Sequence, residues 1–594
     1  MNDVTRLFDL LPRYEKTFLP KDDVLAGKEN GEWIKYPIEK YREKADAISY
    51  ALLSYGIVKG DKVATIMPSR PEWNFIDMGI MQTGAVHVPV YPTLSDADYK
   101  YILNHSGVKF LFISGKEIYR KIEKILPEVP ELLGVYTVKE TEGVKMLQEF
   151  IETGHQKSNP DLLEKAKASI DTHDLATLIY TSGTTGNPKG VMLSHANIIY
   201  NVKAVEHIPP FGQEGKALSY LPLCHVYERM LNYMYQYLGI SVYYAENMAT
   251  IGDNLRDVKP DILSTVPRLL EKIYDRIMGT GRKLTGIKKF IFFWALHLGL
   301  RYEVNNGNGW YYNIKLKLAN KLVFDKWRAA VGGNMKVIVS GGAALQPRLA
   351  RVFWAAGIPV LEGYGLTETS PVLAVNDFSE NGVCFGTVGR PIRDVNLTIA
   401  DDGEIICKGP GVMLGYYKEP DLTAEAIDKE GWFHTGDVGH LEPAGHLRIT
   451  GRKKEIFKTS LGKYISPELL ENKFKESSFI DTLMVIGENQ KYAAALVVPD
   501  FPHLKSWCEI KGIPYTTDAE MIALPRIKKR FQQEIDKFNK FFGATEQVKR
   551  FELIGYEWTI DSGELTASLK LRRRYINDKY ASVINMIFGL NNSD

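Results

Sequence analysis

The sequence predicts an α/β protein with a large N-terminal domain of doubly wound α/β layers, a small β-barrel-like subdomain, and a smaller C-terminal α+β domain. Three observations predict this fold class. Helical patterns alternate with short buried strands through the first two thirds of the chain. From about Val383 the pattern changes to short strands separated by Gly, Pro and Asp turns. After Gly451 a new and smaller α/β unit begins.

The elements follow in order along the chain. "IEKYREKADAISYALLSYGI" is an amphipathic helix that ends near Gly56, and "DKVATIM" and "AVHVPVY" are short buried strands. "DADYKYILNHSG" is a helix that leads to the strand "VKFLFIS". The alternation repeats at "PDILSTVPRLLEKIYDRIMG" and at "MKVIVSGGAALQPRLARVFWAAGIPVLEGYG". In the last part, "SPELLENKFKES" is helical and "YAAALVVP" is a strand. Such alternation is typical of a parallel sheet covered by helices.

The length of the chain requires more than one hydrophobic core. Single cores stop growing beyond about 250–300 residues, and this chain has 594. We therefore predict a large N-terminal domain over residues 1–450, whose β-rich subdomain covers about 383–450. Residues 451–454 then lead to a small C-terminal domain over 455–594.

Composition excludes several classes of protein. The formal net charge is only +2, so nothing global indicates a nucleic-acid partner. The four cysteines are scattered, which favours a reducing compartment. The start "MNDVTRLFDLLPRYEK" is too charged for a secretory signal, and the most apolar run, "FIFFWALHLGL", is shorter than the ~20 residues of a membrane span. We expect a cytoplasmic protein, attached at most to the inner face of a membrane.

The stretch "IYTSGTTGNPKGVMLSH", residues 179–195, has the composition of a phosphate-binding loop. Glycines allow the backbone to approach an anion, hydroxyl groups add donors, and Lys189 adds a mobile positive charge. An apolar strand precedes the loop and a helix, "HANIIYNVKAV", follows it, so we expect a strand, a glycine loop and a helix. It is not a Walker A loop, because Lys189 follows Pro188 and precedes Gly190. The alternative is an ordinary surface loop.

Two further clusters carry candidate ligands. In "LEGYGLTETS", residues 361–370, Tyr364 can stack on a purine and Glu368, beside Thr367, offers oxygens to Mg²⁺. A Thr-Glu pair that starts a helix is equally often a helix cap. In "GWFHTGDVG", residues 431–439, Asp437 lies in a glycine-flanked turn where it can accept both hydroxyls of a ribose, or merely close the turn.

The remaining clusters are basic. They are "ITGRKKEIFKTSLGKYISP" and the late "DSGELTASLKLRRRYI", which contains Lys570. Runs of this kind are mostly solvated surface, so neither is specific alone.

The order of these five clusters resembles that of the adenylate-forming superfamily, which includes acyl-CoA synthetases, peptide-synthetase adenylation domains and luciferases. The resemblance covers residues 20 to 580, and "YTSGTTGNPKG" is among its most specific motifs. "LPLCHVYER" at 221–229, "SGGAAL" at 340–345 and "ELTASLKLRRR" at 564–574 resemble long-chain fatty acyl-CoA synthetases in particular. The fold and function of that family therefore become expectations for this chain.

The resemblance implies roles for the nucleotide ligands. The residues that would hold the departing phosphates of ATP are Thr181, Ser182, Gly183, Thr184, Thr185, Gly186 and Lys189. Those that would wall the adenine are Gly342, Ala343, Glu362, Gly363, Tyr364 and Gly365. Asp437 would accept the ribose hydroxyls, supported by Arg452.

It also implies the catalytic groups. Thr367 and Glu368 would hold Mg²⁺ and the α-phosphate side, with Thr181 as a further metal ligand. His225 would line the acyl entry, and Lys570 would reach the carboxylate and the α-phosphate oxygens. The small C-terminal domain would be mobile, with a hinge at 451–454. It would turn between two half-reactions on the residue two positions after the arginine of "TGRKKEIF", which here is Lys454. The family's glycine pair after the hinge is replaced by "SLGKYI", so the coenzyme A contacts of residues 458–464 are not assigned.

The implied activity is the ATP-dependent activation of a long-chain fatty acid, through an acyl-adenylate, to acyl-CoA, AMP and pyrophosphate. Its ligands would be Mg²⁺, ATP, coenzyme A and the fatty acid, in a monomer or homodimer. The alternatives are a fatty acyl-AMP ligase that loads an acyl carrier protein, and a non-catalytic acyl-adenylate binding protein. The segment 281–303 lines an acyl tunnel, lies on a membrane surface, or is a core helix, which is the default for an apolar helical stripe.

Overall fold

The computed structural model describes residues 3–181, 187–305, 307–560, 562–566 and 570–590. Its strands are β1 Leu25–Glu29, β2 Glu32–Tyr36, β3 Lys62–Ile66, β4 Val86–Val90, β5 Val108–Ile113, β6 Gly134–Thr137, β7 Lys145–Met146, β8 Leu175–Thr181, β9 Lys189–Ser194, β10 Lys216–Ser219, β11 Ser241–Tyr244, β12 Ile262–Thr265, β13 Val337–Ser340, β14 Val360–Gly365, β15 Val372–Val375, β16 Arg390–Pro391, β17 Asn396–Ile399, β18 Glu404–Lys408, β19 Gly415–Tyr416, β20 Phe433–Leu441, β21 Leu447–Arg452, β22 Phe457–Lys458, β23 Tyr464–Ile465, β24 Ile480–Ile486, β25 Ala493–Pro499 and β26 Val548–Leu553.

The helices lie between these strands. They are α1 Leu10–Thr17, α2 Ile38–Ser54, α3 Pro71–Gln82, α4 Asp96–Ser106, α5 Lys116–Ile122, α6 Leu147–Gln156, α7 Pro160–Ala168, α8 His195–Val205, α9 Val226–Leu238, α10 Ile251–Val258, α11 Pro267–Lys283, α12 Gly286–Gly299, α13 Gly309–Ala319, α14 Asp325–Ala330, α15 Pro347–Ala355, α16 Pro420–Ala426, α17 Pro467–Phe474, α18 Phe501–Lys511, α19 Asp518–Ala523, α20 Pro525–Asn539, α21 Arg573–Lys579 and α22 Ala581–Phe588. Short 3-10 turns occur at Leu7–Asp9, Leu126–Glu128 and Thr367–Thr369, and a π-helical turn occurs at Asn320–Phe324.

The chain divides into two compact units. The first comprises Met1–Thr398, Ile406–Thr435 and Glu442–Leu447, and the second comprises Ile399–Ile405, Gly436–Leu441 and Arg448–Asp594. The predicted fold class, mixed α/β with large N-terminal sheets and a C-terminal α+β region, is confirmed. The predicted domain bounds and the hinge stay predictions.

Two large sheets form the framework of the first unit. Among the described residues, one sheet has the strand order β16-β15-β14-β13-β12-β10-β11-β1-β2 and the other has β19-β9-β8-β4-β3-β5-β6-β7. The central strands of both are parallel, for example β12, β13 and β14, and the antiparallel pairs lie towards the edges. Long crossovers therefore connect neighbouring strands, as in doubly wound folds.

Helices α3 and α9 belong to the core of the first unit. Helix α3 buries eleven of its twelve residues and α9 buries ten of its thirteen, so neither shows a solvated face. A helix that is buried on all sides lies inside the core, whereas an amphipathic helix keeps one face in solvent. These two helices supply residues to the site described below.

Local sequence signals explain where several helices begin and end. Helix α4 starts where Ser95 Oγ accepts a hydrogen bond from Asp98 N, and ends at Gly107, whose φ of 68° suits glycine. Helix α9 ends in the same way at Gly239, with φ 74°. The predicted helices and strands of the first 113 residues are confirmed at these positions.

The second unit has its own core. Strands β24 and β25 pair antiparallel, β25 and β26 pair parallel, and helices α17 to α22 belong to the same unit. Strand β25 is buried along its whole length, which agrees with the apolar run "AAALVVP". In the described part of the chain, no helix is both long enough and apolar enough to cross a bilayer.

Candidate active site

The predicted phosphate loop closes a β-hairpin. Strands β8 and β9 pair antiparallel, with Thr181 directly opposite Lys189. Helix α8 begins at His195 as predicted, but strand β9 separates it from the loop. The expected direct passage from loop to helix is therefore wrong, because residues 189–194 complete the hairpin instead. The predicted loop residues that lie outside the described ranges are Ser182, Gly183, Thr184, Thr185 and Gly186.

Tyr416 links the base of this hairpin to the "LTET" segment. Lys189 Nζ lies 5.0 Å from the centroid of the Tyr416 ring, and Tyr416 Oη donates to Glu368 Oε1 over 2.9 Å. Burial, followed by the charge of Glu368, raises the pKa of Tyr416, so the phenol keeps its proton. Strand β19 holds Tyr416 opposite Val191 of β9. Sequence reasoning missed Tyr416, although "GYY" at 415–417 is an aromatic pair after a glycine.

Glu368 is not a helix cap. The 3-10 turn Thr367–Thr369 is closed by Thr369, whose Oγ1 accepts from Leu366 N over 3.0 Å. Glu368 instead accepts from Tyr416 and is half-buried, and Thr367 is buried. Since a cap would bond the backbone amides of its own turn, the capping alternative does not describe this carboxylate.

The oxygens near this segment fit Mg²⁺. In the described residues no group of three His, Cys, Asp or Glu is placed to hold a metal ion. Mg²⁺ is usually bound by one or two carboxylates together with substrate phosphates, so a site with one carboxylate suits it. Glu368 supplies a hard anionic oxygen that Tyr416 orients, and Thr181, opposite Lys189 in the hairpin, carries a hydroxyl.

The predicted adenine wall lies where two parallel strands end. Strands β13 and β14 pair with Ser340 opposite Glu362, so the segments that follow them leave the same edge of the sheet. Open α/β sheets bind ligands at this edge. Gly342 has φ +80°, and a Cβ there would lie in ordinary contact with Val266 Cγ1 at 3.8 Å, while Ala343 is exposed. A side chain at Gly365 would meet Pro371 O at 1.8 Å, so this glycine is required by packing whatever else it does.

An apolar cavity opens beside this wall. Its volume is about 50 Å³, well below the ~300–1,000 Å³ of small-molecule sites, so in this structure the cavity is a narrow gap between side chains. Apart from His225, Tyr227 and Tyr364, every lining side chain is apolar or absent. The residues that line it are Val205, Ile208, His225, Tyr227, Met230, Leu231, Met234, Val339, Gly341, Gly342, Gly363, Tyr364, Gly365, Leu366, Pro371, Val372 and Val375.

The cavity walls were not found from the sequence. The sequence analysis does not single out Met230, Leu231 or Met234 of α9, because a buried Met or Leu on a helix shows the same pattern whether it packs in the core or lines a cavity. The segment 281–303, considered as a tunnel wall, is not part of this lining. One face of α12 is core instead, since Phe292, Ala295 and Leu296 are buried.

His225 lies at the N-terminus of α9. It is the N-cap residue, and its Nδ1 accepts from Tyr227 N over 3.2 Å. Tyr227 Oη donates to Val339 O over 3.0 Å, which fixes the first turn of the helix against β13. The predicted role of His225 at the acyl entry stays a prediction, and the structure places its side chain in the cavity lining.

A buried polar network holds α9 in place. Asp77 Oδ1 accepts from Arg229 Nη2 at 2.5 Å and lies 2.6 Å from His87 Nδ1, while Asp77 Oδ2 accepts from Tyr233 Oη at 2.6 Å. Burial alone would raise the pKa of Asp77, but Arg229 and these hydrogen bonds hold it below its usual value. The network ties α3 to α9 and so fixes the helix that carries His225 and the methionines. Arg229 belongs to "LPLCHVYER", one of the motifs that carry the family resemblance.

In the second unit the structure brings Asp437 and Arg452 together. Asp437 Oδ1 lies 3.3 Å from Arg452 Nε, and Asp437 is buried. Asp437 is not in a turn, as the sequence predicted, but inside strand β20. The glycines at 436 and 439 misled the prediction, whereas the alternating burial of "FHTGDVG" is the signal of a strand with Asp437 pointing inward.

Lys570 lies near the same ion pair. Part of its side chain reaches solvent, yet the surrounding protein lowers its pKa, first through desolvation and then through the positive charge of Arg452. Asp437 and Glu468 oppose this shift. The ammonium group of Lys570 therefore lies close to other charged side chains and is only partly solvated.

Lys454 is an exposed turn residue. The amides of Glu455 and Ile456 both donate to Arg452 O, which closes a turn between β21 and β22. The preceding Lys453 is anchored, because its Nζ lies 2.5 Å from Asp402 Oδ2 and 2.8 Å from Glu404 Oε2. The proposed hinge therefore has a fixed residue on one side of it.

Comparison with known proteins identifies the family. The model of the AMP-binding enzyme family matches residues 18–417. Long-chain-fatty-acid–CoA ligase FadD15 of Mycobacterium bovis is 31% identical, over 94% of this chain and 93% of its own length. Long chain acyl-CoA synthetase 6, peroxisomal, of Arabidopsis thaliana is 33% identical, over 92% and 81%.

Solved structures show the same fold. The adenylation domain of a carboxylate reductase from Mycobacterium chelonae superimposes with a TM-score of 0.76 at 19% identity, over 99% of this chain and 92% of that domain. An anthranilate CoA ligase, AuaEII, in complex with anthranoyl-AMP superimposes with a TM-score of 0.72 at 17% identity, over 97% and 98%. From the family match and the relatives above 30% identity, the chain belongs to the AMP-binding enzyme family.

Proposed function

We propose that the protein is an AMP-forming long-chain-fatty-acid–CoA ligase. The observation that carries this proposal is the apolar cavity, whose lining includes both the methionines of α9 and the glycine edge that ends β14. An unbranched apolar chain suits a pocket of this kind, because flexible Met side chains fill and release irregular space. A carboxylate group at the cavity mouth would then lie beside His225 and Tyr364.

The same strand end leads to the groups that would handle phosphate. Gly363, Tyr364 and Gly365 line the cavity, and three residues later Glu368 meets Tyr416 and hence Lys189. Lys189 and the hydroxyl-rich loop would hold the β- and γ-phosphates of ATP. Glu368 and Thr181 would hold Mg²⁺, which would neutralise phosphate charge when bound. The acyl pocket and the phosphate groups are thus joined by one short segment of chain.

The chemistry follows from the poor reactivity of a carboxylate. Attack of a carboxylate oxygen on the α-phosphorus of ATP forms the acyl-adenylate and releases pyrophosphate. The thiol of coenzyme A then attacks the acyl carbon and releases AMP. Lys570 would stabilise the negative charge that develops in the first step, and an ammonium group does so strongly where water is scarce. Asp437, oriented by Arg452, would accept the ribose hydroxyls.

The main alternative is transfer to a carrier protein. Both reactions share the adenylation step and both use a pantetheine thiol, so the residues of the adenylation site do not distinguish them. The relatives named as a CoA ligase, at 31% identity, and as an acyl-CoA synthetase, at 33% identity, favour free coenzyme A as the acceptor. A non-catalytic binding protein is disfavoured, because Lys189, Glu368, Asp437 and Lys570 are all present.

The test measures both half-reactions with one acid series. The protein is incubated with ATP, Mg²⁺ and fatty acids from short to long, and pyrophosphate exchange reports adenylation. Thioester formation is then compared between free coenzyme A and a holo acyl carrier protein. We expect exchange that rises with chain length and acyl transfer to coenzyme A. Transfer to the carrier protein alone would establish the alternative, and an absence of exchange with every acid would overturn the proposal.

A further inference from the structure

Arg573 differs from its two neighbours in the run of three arginines at 572–574. Its guanidinium donates through Nε to Glu455 Oε2 over 2.9 Å and through Nη2 to Glu471 Oε2 over 2.7 Å. In the described part of the chain Arg572 and Arg574 form no ion pair, and both are exposed. A solvated surface run, which the sequence suggests, therefore does not describe the middle arginine.

The position of Arg573 is not explained by the helix that it begins. Arg573 is the first residue of α21, and the positive end of a helix dipole lies at the N-terminus, where a cation is unfavourable. Burial alone would lower the pKa of Arg573, but Glu471 and Glu455 raise it above its ordinary value. A planar guanidinium presents several donors in a fixed fork, so it can meet two carboxylates at once. The arginine is therefore a bridge between two other elements.

The bridge joins α21 to two parts of the second unit. Glu471 belongs to α17, where it is buried and its Oε1 also accepts from Val485 N of β24 over 2.8 Å. Glu455 lies in the turn that follows Lys454, and its amide donates to Arg452 O over 2.9 Å. One side chain of α21 thus binds both the framework of the second unit and the turn next to the proposed hinge.

The residues before Arg573 form a closed segment that carries Lys570. Leu565 pairs antiparallel with Leu571. Thr566 N donates to Lys570 O over 2.8 Å, and Lys570 N donates to Thr566 Oγ1 over 3.0 Å. Because both main-chain groups of Lys570 are bonded inside this segment, the place of Lys570 depends on where the segment is anchored.

The segment is anchored at both of its ends. At its start the buried Glu564 accepts from Lys579 Nζ over 2.7 Å and from Tyr580 Oη over 3.2 Å. This first anchor joins the segment only to residues that are close by in the chain. At its end Arg573 joins it to residues that lie 118 and 102 positions away. The arginine therefore decides where the segment lies within the second unit.

We propose that Arg573 is a positioning residue for Lys570. Its two ion pairs fix the segment where Arg452 and Asp437 act on the ammonium group of the lysine. Glu455 is common to both cations, because its charge also acts on Lys570. The inference rests on the proposed function, in which Lys570 acts in adenylation. Since all of these groups belong to the second unit, acyl transfer to coenzyme A does not need the bridge.

The test separates position from charge with three variants. Arg573→Gln removes both ion pairs, and Arg573→Lys keeps the charge without the fork that meets two carboxylates. Glu455→Gln removes one of the two carboxylates. Arg574→Gln, at the exposed neighbour, is the matched control. Melting temperatures check the fold, and if Arg573→Gln does not fold, Arg573→Lys and Glu455→Gln decide the question.

Two assays report the two half-reactions. We expect kcat for pyrophosphate exchange to fall at least tenfold in Arg573→Gln, because a misplacement of about 1 Å can cost ~100-fold in rate. Arg573→Lys and Glu455→Gln should lose less, and KM for ATP should change little in all three. Transfer of a supplied acyl-adenylate to coenzyme A should keep the wild-type rate. Glu455→Gln added to Arg573→Gln should cause little further loss, since both remove the same bridge.

Competitive acetylation measures the surroundings of Lys570 without turnover. The pKa of Lys570 lies below the ordinary value of 10.5, and it should rise towards that value in Arg573→Lys but not in Arg574→Gln. An unchanged pKa, or wild-type exchange in both Arg573 variants, would overturn the proposal. So would an equal loss of both half-reactions, which would mean that Arg573 only maintains the fold. If the wild type shows no exchange with any acid, the proposed function fails, and the pKa of Lys570 in Arg573→Lys still decides the positioning role.

Discussion

Tyr416 donates a hydrogen bond from its Oη to Glu368 Oε1 over 2.9 Å, and its ring lies 5.0 Å from Lys189 Nζ. One side chain thus touches the two charged groups that the sequence analysis assigned to phosphate and to Mg²⁺. The hydrogen bond orients the carboxylate, and the ring face attracts the ammonium group. Tyr416 is therefore a positioning residue for both groups, within the proposed function.

The first prediction tests this linkage through the hydroxyl alone. Tyr416→Phe keeps the ring beside Lys189 but removes the hydrogen bond to Glu368. A hydrogen bond to a charged group contributes about 1.5–3 kcal/mol, so we expect kcat/KM for ATP to fall about 10- to 100-fold. The concentration of Mg²⁺ that gives half-maximal pyrophosphate exchange should rise as well, because the carboxylate is less well oriented.

Two companion variants make this prediction specific. Glu368→Gln removes the hard anionic ligand and should raise the Mg²⁺ requirement more than Tyr416→Phe does. Tyr417→Phe, at the adjacent position, should leave both the rate and the Mg²⁺ requirement unchanged. An unaltered Mg²⁺ dependence in Glu368→Gln would remove this residue from the metal site.

The second prediction concerns Lys570. Lys570→Ala should reduce acyl-adenylate formation by several orders of magnitude, because the developing charge at the α-phosphate loses its cation. The variant should still pass a supplied acyl-adenylate to coenzyme A. Pyrophosphate exchange at the wild-type rate would show that Lys570 does not act in adenylation.

The lowered pKa of Lys570 gives an independent measurement. Its ammonium form should lose its proton below the ordinary value of 10.5, because desolvation and Arg452 disfavour the charge. The nearby Glu468 favours the charge, so Glu468→Gln should lower the pKa further. Competitive acetylation followed by mass spectrometry measures this titration without activity. The exposed Glu488→Gln is the control, and a rise of the pKa in Glu468→Gln would contradict the electrostatic account.

The third prediction tests the cavity. Met234 lies nine residues beyond His225, about 13 Å along α9, and it is buried in the cavity wall. Met234→Trp should fill this end of the cavity and lower kcat/KM for long acids at least tenfold, with short acids unaffected. A series of acids of increasing length, measured by pyrophosphate exchange, gives the profile. An equal loss for all lengths would mean that the tail does not run along α9.

The sequence predicted the fold class, and it suggested most of the candidate site residues, because those signals are local. Alternating helices and strands fix an α/β sheet, and the motif around Lys189 is specific in composition as well as spacing. Tyr416 and Arg229 could not be found in this way. Their partners, Glu368 and Asp77, lie 48 and 152 residues away, so only the folded chain brings them together. The cavity has the same origin, since a gap between packed elements leaves no pattern in the chain.

The errors also have a physical reason. Asp437 was placed in a turn because glycines flank it, but a strand tolerates glycine where neighbouring chains approach closely. A side chain at Gly439 would meet Arg448 O at 2.4 Å, which is such an approach. The strand after the phosphate loop was missed because six residues of "KGVMLS" are too short to separate from the helix that follows.

The fourth prediction concerns acid stability. Burial lowers the pKa of His195 to about 4 from 6.5, and its Nδ1 accepts from Leu7 N over 3.2 Å in the neutral form. As the pH falls, the unfolded chain binds this proton first, so the stability is complete above pH 6.5 and is lost as the pH falls through 4. The loss is about 3 kcal/mol. In His195→Gln the amide oxygen can still accept a hydrogen bond, but the side chain does not titrate between pH 6.5 and 4. The urea midpoint of this variant should therefore fall less between these two pH values than that of the wild type.

An exposed histidine provides the comparison for that measurement. His297→Gln should show the full wild-type loss of stability on acidification, since this side chain is exposed on α12. If His195→Gln loses as much stability on acidification as the wild type, protonation of His195 in the unfolded chain is not what destabilises the protein in acid.

The last prediction concerns Lys454 and the passage between the two half-reactions. We propose that Lys570 occupies, during adenylation, the side from which the thiol of coenzyme A arrives, and that the chain turns at Lys454 between the two steps. A hinge residue absorbs a large change of φ and ψ, and proline fixes φ near −65°. Lys454→Pro should keep pyrophosphate exchange within about tenfold of the wild type, ~1.4 kcal/mol, and should cripple thioester formation.

The turn around Lys454 allows this variant to be interpreted. Its two closing hydrogen bonds come from the amides of Glu455 and Ile456, which the substitution leaves in place. Lys454→Ala removes the same side chain without fixing φ, so it should support both half-reactions. If Lys454→Pro melts at the wild-type temperature and slows both half-reactions equally, the chain does not turn at this residue, because a fixed hinge would hold back only the step that follows the rotation.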